Sequence, residues 1–345
     1  MTPSLATIDD RLDALHDGTA VGDLTPDQVT AATGLSHETI GAIWRTLGRT
    51  DLTPTTFSAG DLRLLTLIGA LATTIDPTAS DLTRLRPVLR TLRVATHALR
   101  RISDAHVTAR LEHLTTDQDT TDLIDDIDRN CDTVEALLVE MWRHELRQSL
   151  ARALTTNDNP TRPLLAVGFV DLAGYSARSQ QLPTTDLIDL IDRFDTAAVE
   201  ITAAHGATII KTIGDEVMFT HPDPAAAACV TLDLVDRCAN DEVMLAARSG
   251  LAWGRPVALG GDFYGPSVNL AARLVQLARP NTALINAELA ALLEADPRFE
   301  IGSVQQPQRL RHCGTHHVYT LRRTPSSPEA GAMPASSPTD KETTP

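Results

Sequence analysis

The order of apolar and polar positions separates a helical first part of the chain from a second part in which strands and helices alternate. Residues 133–154 place Val134, Leu137 and Met141 on one stripe at helical spacing, which predicts an amphipathic helix. Because helical patterns prevail up to this point, we predict an all-α domain over residues 1–155.

Residues that favour the starts and ends of helices predict where the helices of this first part begin and end. Thr25-Pro26-Asp27-Gln28 combines an N-cap, a proline at the first helical position and a capping-box glutamine. Gly34 is expected to end that helix, and Ser36 to cap the next. The resulting helix, short turn and helix have the outline of a helix-turn-helix. Ser58 with Asp61 opens a further helix.

The second part begins with a continuous apolar run at residues 164–171, which predicts a buried strand. Alternating patterns then predict helices over 185–204, 222–238, 265–278 and 286–295, and strands over 207–212, 216–221, 245–254, 283–286 and 316–323. Strands interleaved with helices favour an α/β or α+β sandwich with one sheet covered on one face.

Changes in amino-acid composition along the chain predict the domain boundaries. We predict a helical domain at 1–155, a linker at 156–163, an α+β domain at 164–323 and a disordered tail at 324–345. The linker is rich in Asn and Pro, which favour turns. The tail is rich in Pro, Ser and Thr and lacks apolar residues that could offset its ordering entropy.

Charge and cysteine content restrict the class of protein. The net charge of -15 argues against stable nucleic-acid binding, which normally needs a basic face. The best apolar run, 62–72, contains Arg63 and is too short to span a membrane. The four cysteines fit no zinc pattern, so we expect free thiols and a reducing compartment. With no secretory signal at the N-terminus, a cytoplasmic location is predicted.

Two aspartates are candidates for binding cations. Asp171 ends an apolar strand, where a carboxylate is costly unless it is paired or bound to a cation. Asp215 lies beside Gly214 in a predicted hairpin turn. Two such aspartates could hold two divalent ions together with substrate phosphates. Each aspartate alone is more simply a turn former.

Four other polar residues are candidates for binding a nucleotide. Lys211 lies within an apolar strand, where it could protect a sheet edge or donate to a base nitrogen. Asp262 precedes an aromatic residue and a glycine, and an ordinary loop carboxylate is its default interpretation. Asn269 and Arg273 are four apart and share a helix face. Their amide and guanidinium suit ribose and phosphoryl oxygens, although an ordinary helix surface would also accommodate them.

Taken together, these residues resemble the catalytic domain of class III nucleotide cyclases. The motifs F-x-D, K-x-x-G-D, D-x-aromatic-G and N-x-x-x-R follow one another within about 105 residues. The resemblance covers residues 163–323. It implies an α+β cyclase sandwich with a ferredoxin-like core, and a head-to-tail homodimer with active sites at its interface. In that dimer one chain would supply Asp171 and Asp215, and its partner would supply Lys211, Asp262, Asn269 and Arg273.

The resemblance also implies a role for each candidate. Asp171 and Asp215 would bind two Mg²⁺ or Mn²⁺ ions, and Asn269 and Arg273 would orient the ribose and stabilise the transition state. Lys211 and Asp262 would read the base. The turn after Asp171 would contact the substrate through Leu172, Ala173, Gly174 and Tyr175, because small residues at a strand-to-helix turn let backbone N–H groups approach a phosphate. The expected reaction converts ATP into cyclic AMP and pyrophosphate.

The expected base follows from donors and acceptors. A lysine can only donate hydrogen bonds and an ionised aspartate can only accept them. Adenine presents an acceptor at N1 and a donor at its exocyclic amine, so Lys211 and Asp262 complement adenine and leave guanine unpaired. The sequence therefore predicts ATP, not GTP, as the substrate.

The N-terminal part resembles, through residues 36–48 and 57–65, the helical regulatory domain of certain actinobacterial adenylyl cyclases. That resemblance implies autoinhibition and a response to pH. Six of the 11 histidines precede the linker, which fits a pH sensor or simply scattered histidines: His16, His37, His97, His106, His113 and His144.

Two alternatives stay open at this stage. The helix-turn-helix outline at 25–48 could read DNA beside a nucleotide-sensing domain, although its second helix offers only Arg45 and Arg49 as basic residues. The cyclase-like domain could also be degenerate and bind nucleotides or partners without catalysis.

Overall fold

The computed structural model describes residues 24–49, 56–75, 81–112, 120–155, 159, 161–304, 307–311 and 313–325. The chain divides into two compact units, residues 1–157 and 158–345. Most of the predicted tail, from residue 326 onward, lies outside the described residues, as does part of the predicted linker.

Every long element described in the N-terminal unit is helical, which confirms an all-α N-terminal region. The helices are α1 (Pro26–Thr33), α2 (His37–Thr46), α3 (Ala59–Ile75), α4 (Asp81–Glu112) and α5 (Thr120–Thr155).

The predicted caps of the first helices are present. The Thr25 hydroxyl accepts a hydrogen bond from the Gln28 amide at 3.3 Å, and the Gln28 side chain accepts one from the Thr25 amide at 2.8 Å. Gly34 ends α1 with a left-handed φ of 70°. Ser36 accepts a hydrogen bond from the amide of Thr39 at the start of α2.

Helices α1 to α4 enclose one apolar core. The rings of Trp44 and Phe57 lie 6.0 Å apart between centroids. The other fully or almost fully buried members include Val29, Ile40, Ile43, Leu65, Ile68, Leu85 and Val88. The core therefore ties the helix-turn-helix outline to the long helix α4.

The helix-turn-helix outline exists, but one of its two basic residues is already engaged. Nη2 of Arg49 lies 2.8 Å from Oδ1 of Asp61. Its guanidinium also covers the ring of Trp44 at 4.5 Å.

The sequence patterns missed much of the long helices. The predicted helix at 133–154 is only the second half of α5, and no element was assigned to α4. Pro87 lies inside α4 and interrupts its hydrophobic pattern, which normally indicates a helix end. Packing of Leu85 and Val88 on the core outweighs that local signal.

The C-terminal unit alternates strands and helices, mostly at the predicted places. Its elements are β1 (Leu165–Leu172), α6 (Tyr175–Arg178), α7 (Thr184–Ala204), β2 (Thr208–Ile213), β3 (Glu216–His221), α8 (Pro224–Asn240), β4 (Ala247–Gly254), β5 (Val257–Leu259), β6 (Asp262–Tyr264), α9 (Pro266–Leu277), β7 (Thr282–Asn286), α10 (Ala287–Leu293), β8 (Phe299–Ser303), β9 (Gln308–Leu310), β10 (Gly314–His316) and β11 (Val318–Arg323).

Seven strands form one mixed sheet in the order β2-β3-β1-β4-β7-β11-β8. β4 and β7 run parallel, and the other neighbours run antiparallel. β5 pairs with β6, and β9 with β10, in two small hairpins. The fold class predicted from the sequence, α+β with a separate all-α region, is confirmed.

The expectation that only one face of the sheet is covered was wrong. α7, α8 and α10 pack on one face through residues such as Phe194, Leu234 and Leu289. α9 packs on the other face, where Leu274 contacts a second apolar cluster. A Cβ atom at Gly250 would lie 2.3 Å from backbone atoms of α9, so glycine is needed for this close approach.

Two further features bear on the class of protein. Among the described residues, no helix is both long and apolar enough to cross a membrane. Cys131, Cys229, Cys238 and Cys313 are free thiols.

Candidate active site

Acidic side chains gather where β1 ends and where β2 turns into β3. The amide of Leu172 donates to the backbone oxygen of Asp215 at 3.2 Å. In the sheet, Asp171 lies opposite Glu216 of β3 on one side and opposite Arg248 of β4 on the other. Cross-strand partners share a face of the sheet, so Asp171 and Glu216 lie on the same face as the guanidinium of Arg248. Asp215 directly precedes Glu216, and these three acidic residues are called the carboxylate cluster.

Arg248 binds one oxygen of Asp171. Its Nε and Nη2 atoms lie 2.6 and 2.5 Å from the same atom, Oδ2 of Asp171. The Asp171 side chain is only 14% exposed, so the contact is stronger than a surface ion pair. Oδ1 of Asp171 is left without a contact to Arg248, and the pair fixes the orientation of the carboxylate.

Two carboxyls of the cluster have pKa values above those of free acids, although the guanidinium of Arg248 lies beside them. Burial, followed by the charge of Asp171, raises the pKa of Asp215 to about 6. Burial, followed by the charges of Asp171 and Asp215, raises the pKa of Glu216 to about 7. Both carboxyls therefore hold their protons to a higher pH than free acids do, and a bound cation would lower their pKa values again.

The donors present fit a divalent cation that is completed by its substrate. Carboxylate oxygens are the ligands that Mg²⁺ and Mn²⁺ prefer. Within the described ranges, no group of three or more His, Cys, Asp or Glu side chains forms a ready-made metal cage. Asp171 and Asp215 would thus supply part of the coordination shell of a cation, and water or phosphate oxygens would complete that shell.

Lys211 and Asp262 form a second pair near this cluster. Nζ of Lys211 lies 2.5 Å from Oδ2 of Asp262. The other oxygen of Asp262 accepts a hydrogen bond from the amide of Phe263 at 2.7 Å. Lys211 lies opposite Met218 in the sheet, and Met218 belongs to the face that α9 covers.

Asn269 and Arg273 lie one turn apart on α9 and make no hydrogen bond or ion pair with these groups among the described residues. Asn269 is exposed, and its side chain has no hydrogen-bond partner in the described part of the chain. Arg273 donates to Gln276 at 2.6 Å. A cavity of about 570 Å³ lies beside Asn269 and is also lined by Trp253 and His316. Within one chain, hydrogen bonds or electrostatic coupling therefore join Asp171 to Asp215 and Lys211 to Asp262, and no such interaction joins Asn269 or Arg273 to them among the described residues.

The predicted phosphate-contacting turn is partly occupied by backbone contacts. The amide of Leu172 donates to Asp215, and that of Ala173 donates to the oxygen of Ala246 at 2.8 Å. These two N–H groups are therefore not available to a phosphate. The amides of Gly174 and Tyr175 donate to no backbone carbonyl outside their own helix among the described residues.

Sequence reasoning missed Arg248 and Glu216. A signal existed, since Arg248 is a charged residue inside an apolar strand pattern, the same feature that singled out Lys211. Glu216 directly follows Asp215 at the start of a strand. Neither residue belongs to a motif, so only the register of the sheet connects them to Asp171.

Part of the chain is related to curated proteins, although no protein-family model matches it. A protein of Glutamicibacter nicotianae named adenylate cyclase is 36% identical over 204 residues, which is 54% of this chain and 50% of that protein. An adenylate cyclase of Streptomyces coelicolor is 35% identical over 159 residues, 46% of this chain and 42% of that protein.

A third relative, from Mycobacterium tuberculosis, is named a pH-sensitive adenylate cyclase. It is 33% identical over 162 residues, 46% of this chain and 41% of that protein. The chain thus spans about half the length, or less, of the curated relatives it matches.

Solved structures similar to this chain include the adenylyl cyclase CyaB from P. aeruginosa, with a TM-score of 0.41 and 20% identity over 47% of this chain and 95% of that chain. The catalytic core of a rhodopsin-guanylyl cyclase with converted specificity has a TM-score of 0.44 and 18% identity over 47% of this chain and 97% of that chain.

Proposed function

We propose that this chain is a class III adenylyl cyclase that converts ATP into cyclic AMP and pyrophosphate at sites shared by two copies. The curated relatives named adenylate cyclase support this reaction. The observation that carries the proposal is the 2.5 Å pair of Lys211 and Asp262, two half-buried groups whose donors and acceptor complement adenine. In a head-to-tail dimer this pair would face Asp171 and Asp215 of the second copy.

Lys211 and Asp262 would select adenine. In the free chain each group satisfies the other. An adenine between them would accept from the lysine at N1 and donate from its amine to the aspartate. Guanine would present a donor to the lysine and an acceptor to the carboxylate, which leaves both half-buried groups unpaired.

Asp171 and Asp215 would hold two divalent cations, Mg²⁺ or Mn²⁺. Such ions, when bound, supply positive charge to the triphosphate and lower the pKa of the ribose 3′-hydroxyl. The chain's own contribution is orientation, because Arg248 fixes Oδ2 of Asp171. Burial, followed by the neighbouring carboxylates, raises the pKa values of Asp215 and Glu216, and a bound cation would offset both effects.

Asn269 and Arg273 would act, with Lys211 and Asp262, on the carboxylate cluster of a second copy. The exposed side-chain amide of Asn269, which has no hydrogen-bond partner in the described part of the chain, supports this assignment. In a head-to-tail dimer, Arg273 would donate to the negative charge that develops on the phosphoryl oxygens, and Asn269 would orient the ribose. Catalysis would then consist mainly of positioning and electrostatic stabilisation.

We further propose that the N-terminal unit regulates the catalytic domain, with domain limits at 1–155, 156–163 and 164–323. Because ATP is an intracellular metabolite, the protein would act in the cytoplasm. Higher activity of a 156–323 fragment than of the full chain would support inhibition by the N-terminal unit. Equal activity of the two at every pH would contradict it.

The reaction can be tested with purified full-length chain, ATP or GTP, and Mg²⁺ or Mn²⁺. We expect mass spectrometry to detect cyclic AMP from ATP and little or no cyclic GMP from GTP. Asp171→Asn and removal of the metal by EDTA should each abolish the product, whereas exposed Glu242→Gln should not. Failure to form cyclic AMP with either metal would refute the proposal.

A further inference from the structure

A cleft in the N-terminal unit is lined by arginines and lies apart from the residues discussed above. It has a volume of about 460 Å³ and is formed between α2 and α4. The polar side chains that define this basic cleft are Arg45, Thr46, Arg93, Thr96, His97 and Arg100.

Residues from both helices line the same cleft. Arg93, His97 and Arg100 are spaced by four and three positions, so they share one face of α4. Arg45 comes from the last turn of α2 on the opposite wall. Arg100 also reaches the backbone there, because its Nη2 atom lies 3.2 Å from the position that a Cβ of Gly48 would occupy.

The three arginines of the cleft lack a negative partner. Arg45, Arg93 and Arg100 make no ion pair or side-chain hydrogen bond to any residue in the described ranges. Some other arginines of this unit are paired, such as Arg49 with Asp61 at 2.8 Å. What distinguishes the cleft is that three exposed guanidinium groups from two helices line the same space.

An anion between the two walls would relieve the repulsion of these like charges. The carbonyl oxygens at the end of α2 carry partial negative charge that would repel an anion. Those of Ile43, Trp44 and Arg45 already accept hydrogen bonds from the three residues that follow the helix, which reduces this repulsion. The wall formed by α4 also offers the hydroxyl of Thr96 as a hydrogen-bond donor, whereas the hydroxyl of Thr46 already donates to the oxygen of Ala42 at 2.9 Å.

The shape and the donors of the cleft define the class of ligand. Guanidinium forks match phosphoryl oxygens, and three of them suit more than one phosphoryl group. A volume of about 460 Å³ lies in the range of small-molecule sites. The net charge of -15 disfavours a long nucleic-acid backbone on this protein.

We propose that the basic cleft binds a small molecule with two or more phosphoryl groups. The proposal concerns the N-terminal unit alone and does not depend on the cyclase activity.

Isothermal titration calorimetry of the full chain with inorganic tripolyphosphate tests this site. EDTA in the buffer prevents metal-mediated binding at the carboxylate cluster. We expect binding that weakens as salt rises from about 50 to about 300 mM. Arg93→Gln/Arg100→Gln should weaken it at least about tenfold, and Arg45→Gln on the other wall should also weaken it.

The matched control is Arg86→Gln/Arg90→Gln, which removes two exposed arginines of the same helix that do not line the cleft. It should bind like the unchanged chain, and circular dichroism should show equal melting of both double variants. No binding at low salt would overturn the proposal. So would equal losses in both double variants, unchanged binding in the cleft variants, or tighter binding of a DNA duplex than of tripolyphosphate.

Discussion

Nζ of Lys211 lies 2.5 Å from Oδ2 of Asp262, although the two residues are 51 positions apart in the chain. β2 supplies the lysine, and the β5–β6 hairpin supplies the aspartate. Both side chains are partly buried, at 34% and 24% exposure. The pair is therefore a built feature of one chain and needs no second copy to form.

Removing either member of this pair should weaken selection of ATP over GTP. Lys211→Ala and Asp262→Ala each leave a half-buried charge without its partner, so we expect kcat/KM for ATP to fall by roughly 100-fold. The ratio of ATP to GTP turnover should fall with it. The matched control is Lys341→Ala, which removes the only other lysine of the chain. Unchanged base selectivity in both site variants would rule out base reading by this pair.

Two inactive variants should restore activity when mixed. Asp171→Ala removes a carboxylate, and Asn269→Ala removes a group that does not contact it within one chain. Random pairing gives half heterodimers, each with one intact site of two, so about a quarter of the normal activity should return. The assay is cyclic AMP formation after the mixed chains exchange. No recovery in well-folded, exchanging dimers would argue against shared sites.

The metal-free chain should lose stability as pH rises. The folded pKa of Glu216 is about 7 against about 4.5 for a free glutamate. Between these values the folded chain retains a proton that the unfolded chain has released, so raising the pH lowers the free energy of unfolding.

Glu216→Gln should therefore raise the melting temperature by roughly 2–4 °C at pH 8 in EDTA, with little effect at pH 4. Scanning calorimetry at both pH values measures the change. Glu242→Gln is the control, because Glu242 is exposed. A variant that is destabilised at pH 8 would show that the charge of Glu216 is balanced in a way the structure does not indicate.

Gly250→Ala should displace α9 from the sheet. The added Cβ would meet the oxygen of Ala271 and the amide of Val275 at 2.3 Å, both in the backbone of α9. We expect a loss of about 1–3 kcal/mol in the free energy of unfolding and a larger proportional loss of activity, because Asn269 and Arg273 lie on that helix.

The matched control is Gly69→Ala in α3, where the nearest side-chain atom lies 3.8 Å from the new Cβ. Alanine favours a helix over glycine, so this variant should keep or gain stability in urea unfolding. If Gly250→Ala were as stable and active as the control, the close packing of α9 on β4 would not matter for the site.

Local signals in the sequence determined most element boundaries in this protein. β3 occupies residues 216–221 as predicted, and α7 begins one residue before its predicted start. The caps at Thr25, Gly34 and Ser36 form as expected, because they depend on neighbours within a few residues. The six candidate residues were also identifiable, since each belongs to a short motif.

Only the tertiary structure determined which of these residues lie close to one another. Strand order and register put Arg248 against Asp171, 77 positions away, and Glu216 opposite the same aspartate. Packing brought α9, with Asn269 and Arg273, onto the second face of the sheet. Such contacts depend on burial summed over the whole sheet, a quantity that no short window of sequence contains.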